Sequence, residues 1–262
     1  MVGRIFGIGH DDQMSSSPVR PPRLTPSDYL GRIDRATEQF ADLIATGDLT
    51  AALPTCPGWT FTDLIAHLGE IHQWAAHAIV AGNPDAETIP EPSEPAALVD
   101  WYRMAAGVLT DVLRTTDPEA PAWTFGPKPR TASFWFRRQI HETTVHLWDA
   151  GRAQNQSRPI DDDVARDGID EVTGLFFPRQ VRLGRIPPLE RTLALVADSD
   201  RWVLAGDGID PDPGVDAEAT VHGPPEPLLL LLWGRIGLDD PRLQLSGDEA
   251  VADAVLRTAL VP

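Results

Sequence analysis

From Thr25 the chain carries apolar residues at the spacing of a helix. Leu30, Ile33, Thr37, Phe40 and Ile44 form one stripe, Thr25 is placed to cap it, Pro26 suits its first position and Gly47 ends it. The segment Leu53-Pro54-Thr55-Cys56-Pro57-Gly58-Trp59 breaks the period and predicts a structured loop. Thr60, with Asp63 three residues on, then opens a second helix whose stripe is Leu64, Leu68, Ile71, Ala75 and Ile79. Residues 82–95 are a proline-rich connector. A third helix carries Leu98, Trp101, Ala105, Val108 and Val112, and residues 117–130 are another proline-rich loop. A fourth helix, from Ala132 to about Ala150, has Phe134, Val145 and Trp148 on one narrow stripe. Four amphipathic helices with loops of this length predict a helix bundle.

The pattern changes after Gly151. Asp161 is placed to cap a helix with Val164, Ile169, Val172 and Phe176 inward. Residues 192–197 and 202–204 read as strands joined by a turn at 198–200, with a third strand at 217–222. A leucine-rich helix from Pro225 to Arg235, a strand at 242–245 and a last helix from Glu249 to Leu260 complete the reading. The expected fold class is α+β: an arm over residues 1–24, read as disordered and with the natural start placed at Met14, a four-helix bundle over 25–155, and a smaller α+β domain over 156–262.

Composition narrows the function classes. Among 262 residues, 39 are acidic and 22 basic, a net charge of −17, which repels phosphate backbones and argues against nucleic acid as a partner. No apolar run approaches the roughly 20 residues of a membrane span, the longest being Leu228 to Trp233. The first residues lack the apolar core of a signal peptide, and Cys56 is the single cysteine, so no intramolecular disulfide is expected and the expected location is cytoplasmic. Lys128 is the single lysine against 21 arginines, a bias typical of GC-rich coding sequence.

The chemistry-bearing residues gather on two helices. In Ile140-His141-Glu142-Thr143-Thr144-Val145-His146 the histidines are five apart, about 140° around a helix, so they do not form the HExxH zinc pair. Glu142 and His146 are one turn apart and share a face. On the second helix His67 shares the side of Leu64 and Ile71, whereas His72 and His77 lie further round and are expected to be more easily solvated. Two readings stay open. Glu142 and His146 form a polar pair on a helix edge with Arg138 satisfying the carboxylate, or His67, Glu142 and His146 supply three N and O ligands to the bundle interior. Cys56 reads as a packed loop cysteine in preference to a nucleophile, since nothing nearby in sequence supplies a base and Pro57 follows it directly, and Arg235 reads as a helix C-terminal residue. No nucleophile elbow, phosphate loop or dinucleotide-binding glycine pattern is present.

The motifs Pro54-Thr55-Cys56-Pro57-Gly58-Trp59-Thr60, Asp63-Leu64-Ile65-Ala66-His67-Leu68, and Arg137-Arg138 with His141 to Ala150 resemble the mycothiol-dependent maleylpyruvate isomerase family. That family belongs to the DinB-like superfamily of metal-binding four-helix bundles. Val221-His222-Gly223-Pro224-Pro225 through Trp233-Gly234-Arg235 is similar to the family's C-terminal domain. The resemblance implies a divalent metal, zinc before others, held by His67, Glu142 and His146. It also implies mycothiol, a low-molecular-weight thiol, as co-substrate, a small electrophile as substrate, and a substrate-contacting arginine for which Arg235 is the match. An actinobacterial source is in keeping with both. The activity so implied is cis–trans isomerisation by conjugate addition of a thiolate, or transfer of the thiol to the electrophile. The competing readings are a metal-vestigial module that binds a ligand or partner without catalysis, and an iron site doing oxygen chemistry.

Overall fold

Threonines open the first two helices by the same device. The Thr25 and Thr60 side chains accept from the backbone N–H of Asp28 and Asp63, whose carboxylates return a bond to the threonine N–H. These reciprocal bonds satisfy helix-start donors that would otherwise need water. The computed structural model describes residues 23–209, 211–212 and 214–262; the arm expected over residues 1–24, with Met14, lies almost wholly outside them. Residues 24–160 form one compact unit, and residues 161–262 with Arg23 form a second.

The first unit is a four-helix bundle of α1 (Pro26–Thr46), α2 (Phe61–Ala81), α3 (Leu98–Thr115) and α4 (Ser133–Ala153). Each of α1 and α2 packs against both α3 and α4. Gly82, in the left-handed conformation at φ 68°, ends α2. Isolated bridges between Ala52 and Thr60, and between Pro121 and Thr131, pin the two loops that lead into α2 and α4.

The expected stripe of α2 is buried throughout and that of α1 is buried except for the half-buried Leu30, while those of α3 and α4 need correction. On α3 the buried apolar residues are Leu98, Trp101, Tyr102, Ala105, Ala106, Leu109 and Leu113; Val108 is exposed and Val112 half-buried. At 100° per residue Leu109 returns within about 20° of Leu98, whereas Val108 falls about 80° away. On α4, Phe134 and Trp148 are half-buried, and residues on nearly every side are inside, among them Trp135, Phe136, Arg138, Gln139, His141, Glu142, Thr143 and Asp149. A helix surrounded by neighbours has no single apolar stripe, so a stripe search on it finds only part of its buried surface.

The second unit is α+β. α5 (Asp162–Glu171) continues through a wider turn at Val172–Phe176 into α6 (Phe177–Arg182). The strands are β1 (Leu189–Ala197), β2 (Asp200–Gly206), β3 (Ala219–His222) and β4 (Gln244–Gly247), in sheet order β2-β1-β3-β4. β1 runs antiparallel to β2 and parallel to β3, and β3 antiparallel to β4. α7 (Pro225–Leu232) packs on α5, and α8 (Glu249–Leu256) on β1 and β3. Helices α7 and α8 stop three or four residues short of the predicted ends, and β4 starts two residues later than predicted. Arg23 anchors here, its Nε donating to Asp170 at 2.6 Å and its backbone N–H to Asp167 at 3.0 Å. Among the described residues no helix is long and apolar enough to cross a membrane.

Candidate metal centre

α4 carries a polar ladder through the bundle. Arg138, Glu142, His146 and Asp149 follow one another at spacings of four, four and three, so they share one face over about 16 Å of helix. Charge alternates along it, and each rung meets the next. Arg138 Nη2 donates to Glu142 Oε2 in a short contact, His146 Nε2 lies 3.4 Å from Glu142 Oε1, and His146 Nδ1 lies 3.0 Å from Asp149 Oδ2.

α2 brings His67 across to the middle of this ladder. Its Nε2 is 3.2 Å from Glu142 Oε1, and its ring meets that of His146 edge-on with centroids 5.1 Å apart. His67 Nε2, Glu142 Oε1 and His146 Nε2 therefore converge, and ligand atoms of the three residues all lie within 4.8 Å of one another. The loop before α2 closes over the cluster. Trp59 packs edge-on against His67 at 5.2 Å, Thr55 Oγ1 donates to Asp149 Oδ1 at 2.6 Å, and Cys56 Sγ is 4.0 Å from Asp149 Oδ2.

Burial sharpens the electrostatics. Burial by itself would raise the Glu142 carboxyl, but the Arg138 guanidinium and hydrogen bonds from His146 and His67 outweigh it and hold the group well below its usual range. Burial would lower His146, yet its bonds to Asp149 and Glu142 raise it. Arg138 engages one carboxylate oxygen of Glu142, and the other oxygen faces both histidines. Two imidazole nitrogens and one carboxylate oxygen suit a divalent cation of the zinc or iron kind.

The remaining sequence candidates fall elsewhere. His72 is not solvated as expected but fully buried, its Nδ1 2.9 Å from Gln139 Oε1 and its Nε2 3.3 Å from Tyr102 Oη. Burial drives its pKa down to about 4, against a weaker upward pull from Gln139. It faces α3 and α4 where these pack on α2, a direction invisible in the pattern of α2 alone. His77 pairs with Asn83 at 3.0 Å, and His141 is buried on α4 and is not one of the three converging groups. Arg235 lies in the second unit just after α7, where Nη1 donates to the Trp233 carbonyl at 2.9 Å and the guanidinium sits 5.8 Å from the Trp233 ring centroid. Asp149 and Thr55 escaped the reading of candidate ligands. The signal for Asp149 was its place three residues after His146; Thr55 carried none, since only the fold brings the loop to α4.

Comparison with known proteins agrees with this architecture. Residues 30–151 match the family model described as "Mycothiol maleylpyruvate isomerase N-terminal domain", and residues 163–254 the "MDMPI C-terminal domain". A crystal structure of the mycothiol-dependent maleylpyruvate isomerase superposes with a TM-score of 0.64 at 18% identity, covering 85% of this chain and 93% of that one. A histidine-to-alanine mutant of that enzyme gives 0.63 at 17% identity with the same coverage. No curated protein sequence matches the chain. The two family models follow in order, lie on either side of the boundary between the two units and together span about four-fifths of the residues, so the chain belongs to the mycothiol-dependent maleylpyruvate isomerase family.

Proposed function

We propose that this protein is a metal- and thiol-dependent enzyme that acts on a small electrophilic alkene conjugated with a carbonyl group. The observation that carries the reading is the convergence of His67 Nε2, Glu142 Oε1 and His146 Nε2 in a chain that resembles a solved mycothiol-dependent maleylpyruvate isomerase. His67, Glu142 and His146 would hold a divalent cation, zinc by preference. When bound, that cation supplies a Lewis-acid site that lowers the pKa of a thiol, so that thiolate is present at neutral pH.

The chain's own residues have separable tasks. Arg138 keeps Glu142 ionised and engages one of its oxygens, so a single oxygen is offered to the centre. Trp59 and the half-buried rims of His67 and His146 limit water around the reacting sulfur. In the reaction the thiolate sulfur bonds to an alkene carbon and the π pair moves onto the carbonyl oxygen as an enolate. The former double bond rotates, and re-formation of the alkene expels the thiolate, giving the trans isomer with no net change in atoms or electrons. A substrate-contacting arginine that would stabilise such an enolate is what the family resemblance implies, with Arg235 the match. Mycothiol is the thiol that family membership favours. Protonation of the adduct instead of expulsion makes the same chemistry a thiol transfer.

The test is metal content and turnover of the wild type and His67→Ala. About one zinc per chain in the wild type, lost in the variant along with thiol-dependent isomerisation of a cis-enone acid, is the expected result. A wild type that contains no metal and takes up none when zinc is offered overturns the reading.

A further inference from the structure

We infer that Asp149, locked by Thr55, is a positioning residue that fixes which nitrogen of His146 faces the centre. The inference rests on the metal reading above.

The geometry sets out the argument. An imidazole's two nitrogens point away from each other, so a bond at one determines what the other presents. His146 Nδ1 is engaged by Asp149 Oδ2 at 3.0 Å, which directs Nε2 toward Glu142 Oε1 and the ligand atoms of His67. A neutral imidazole with Nδ1 as donor has a lone pair on Nε2, the form that binds a metal. Without an acceptor at Nδ1, a histidine free in solution favours the proton on Nε2, which would cap the ligand atom. Asp149 stands on the far side of the ring from the centre and is outside the converging set, so its part is to act through His146.

The carboxylate is itself held from a second element. Asp149 is fully buried, and Thr55 Oγ1 donates to its Oδ1 at 2.6 Å, with Cys56 Sγ 4.0 Å from Oδ2. Thr55 and Asp149 are 94 residues apart in sequence, so this contact exists only when the loop before α2 has docked on α4. The same loop leads through Thr60 into α2, whose second turn carries His67. The loop thereby ties the orientation of one histidine to the start of the helix that supplies the other. Carboxylates paired in this way to a ligand imidazole raise its basicity and hold the ring in place, and their removal commonly weakens metal binding 10–100-fold.

Zinc affinity by chelator competition, together with ring-nitrogen NMR of His146 in the metal-free protein at pH 9, tests this on the full chain. Asp149→Asn, which keeps the side-chain volume, is expected to bind zinc about 10–100-fold more weakly and to shift His146 toward the Nε2-protonated tautomer. Thr55→Val, nearly isosteric, is expected to shift both readouts in the same direction by less. A folded Asp149→Asn that binds zinc within twofold of the wild type and keeps the Nδ1 proton overturns the inference and leaves the metal reading intact. A wild type that binds no zinc overturns the metal reading, and the tautomer measurement then shows on its own whether Asp149 orients His146.

Discussion

Arg138 and Glu142 form a charge pair one helical turn apart on α4, with both side chains inside the bundle. Such a pair is costly to break from one side, because the remaining charge stays buried without compensation. Arg138→Met is therefore expected to destabilise the metal-free protein at neutral pH by about 3–5 kcal/mol. The acid limb should move as well. Glu142 is held below its ordinary value of 4.5, so its contribution is complete above about that pH and is lost as pH falls through the lower folded value. Without Arg138 the carboxyl takes up its proton at higher pH, and the loss begins earlier. Urea unfolding across pH 4 to 8 reads both effects; a variant within 1 kcal/mol of the wild type with a parallel pH curve would contradict the assignment.

His72 gives a second pH signature, separable from the first. It is buried and neutral in the folded state with a pKa of about 4, against 6.5 in the unfolded chain. The unfolded state therefore binds a proton that the folded state refuses, and stability from this group is complete above about pH 6.5 and lost toward pH 4. The difference amounts to about 3 kcal/mol at the usual 1.36 kcal/mol per pKa unit. In His72→Gln the wild type's advantage at pH 7 should shrink by about that amount by pH 4. Curves for the two proteins that keep a constant separation would show that His72 does not titrate as assigned.

What the sequence could reveal followed from where each signal resides. Capping threonines, the loops before α2 and α4, the stripe of α2 and that of α1 apart from the half-buried Leu30 are local, one-dimensional features, and they read correctly. The Glu142–His146 pair was visible because helical spacing alone puts two residues one turn apart on a face. α4 misled because a helix with neighbours on most sides buries polar residues as well as apolar ones; the Phe134 and Trp148 stripe is its less buried edge. His72 misled for a related reason, since its partners Gln139 and Tyr102 come from other helices. Thr55 could not be assigned at all, because its partner is 94 residues away and a threonine in a loop has many uses.

Gly69 illustrates a packing constraint of the same non-local kind. A Cβ placed there would stand 2.4 Å and 2.5 Å from Trp101 ring carbons. That ring is nearly buried and tethered through its Nε1–H to the Ile89 carbonyl at 3.1 Å, so it has little room to retreat. Alanine would ordinarily stabilise a helix interior by about 1 kcal/mol relative to glycine. Here Gly69→Ala is expected to destabilise the protein by about 1–3 kcal/mol, the usual cost of overpacking. A thermal melt decides the sign: a rise in Tm would mean that α2 and α3 adjust without strain.

Metal binding should appear as stability even before a substrate is known. A ligand that binds only the folded state adds RT ln(1 + [L]/Kd), about 2.7 kcal/mol at one hundred times its dissociation constant. His67 lies on α2, while Glu142 and His146 lie on α4, so no unfolded chain presents the three together, and binding counts almost wholly toward folding. Zinc is therefore expected to raise the unfolding midpoint of the wild type, and a chelator to return it to the metal-free value. Glu142→Gln removes the anionic oxygen common to both histidine contacts and should abolish the increase, whereas His77→Gln, on the same helix as His67 but paired with Asn83, should retain it. Because the imidazoles must shed protons to ligate, the zinc-dependent increment should shrink as the medium is acidified from pH 8 to pH 6. Equal increments in the wild type and Glu142→Gln would place the metal elsewhere on the chain and remove the ladder on α4 from the site.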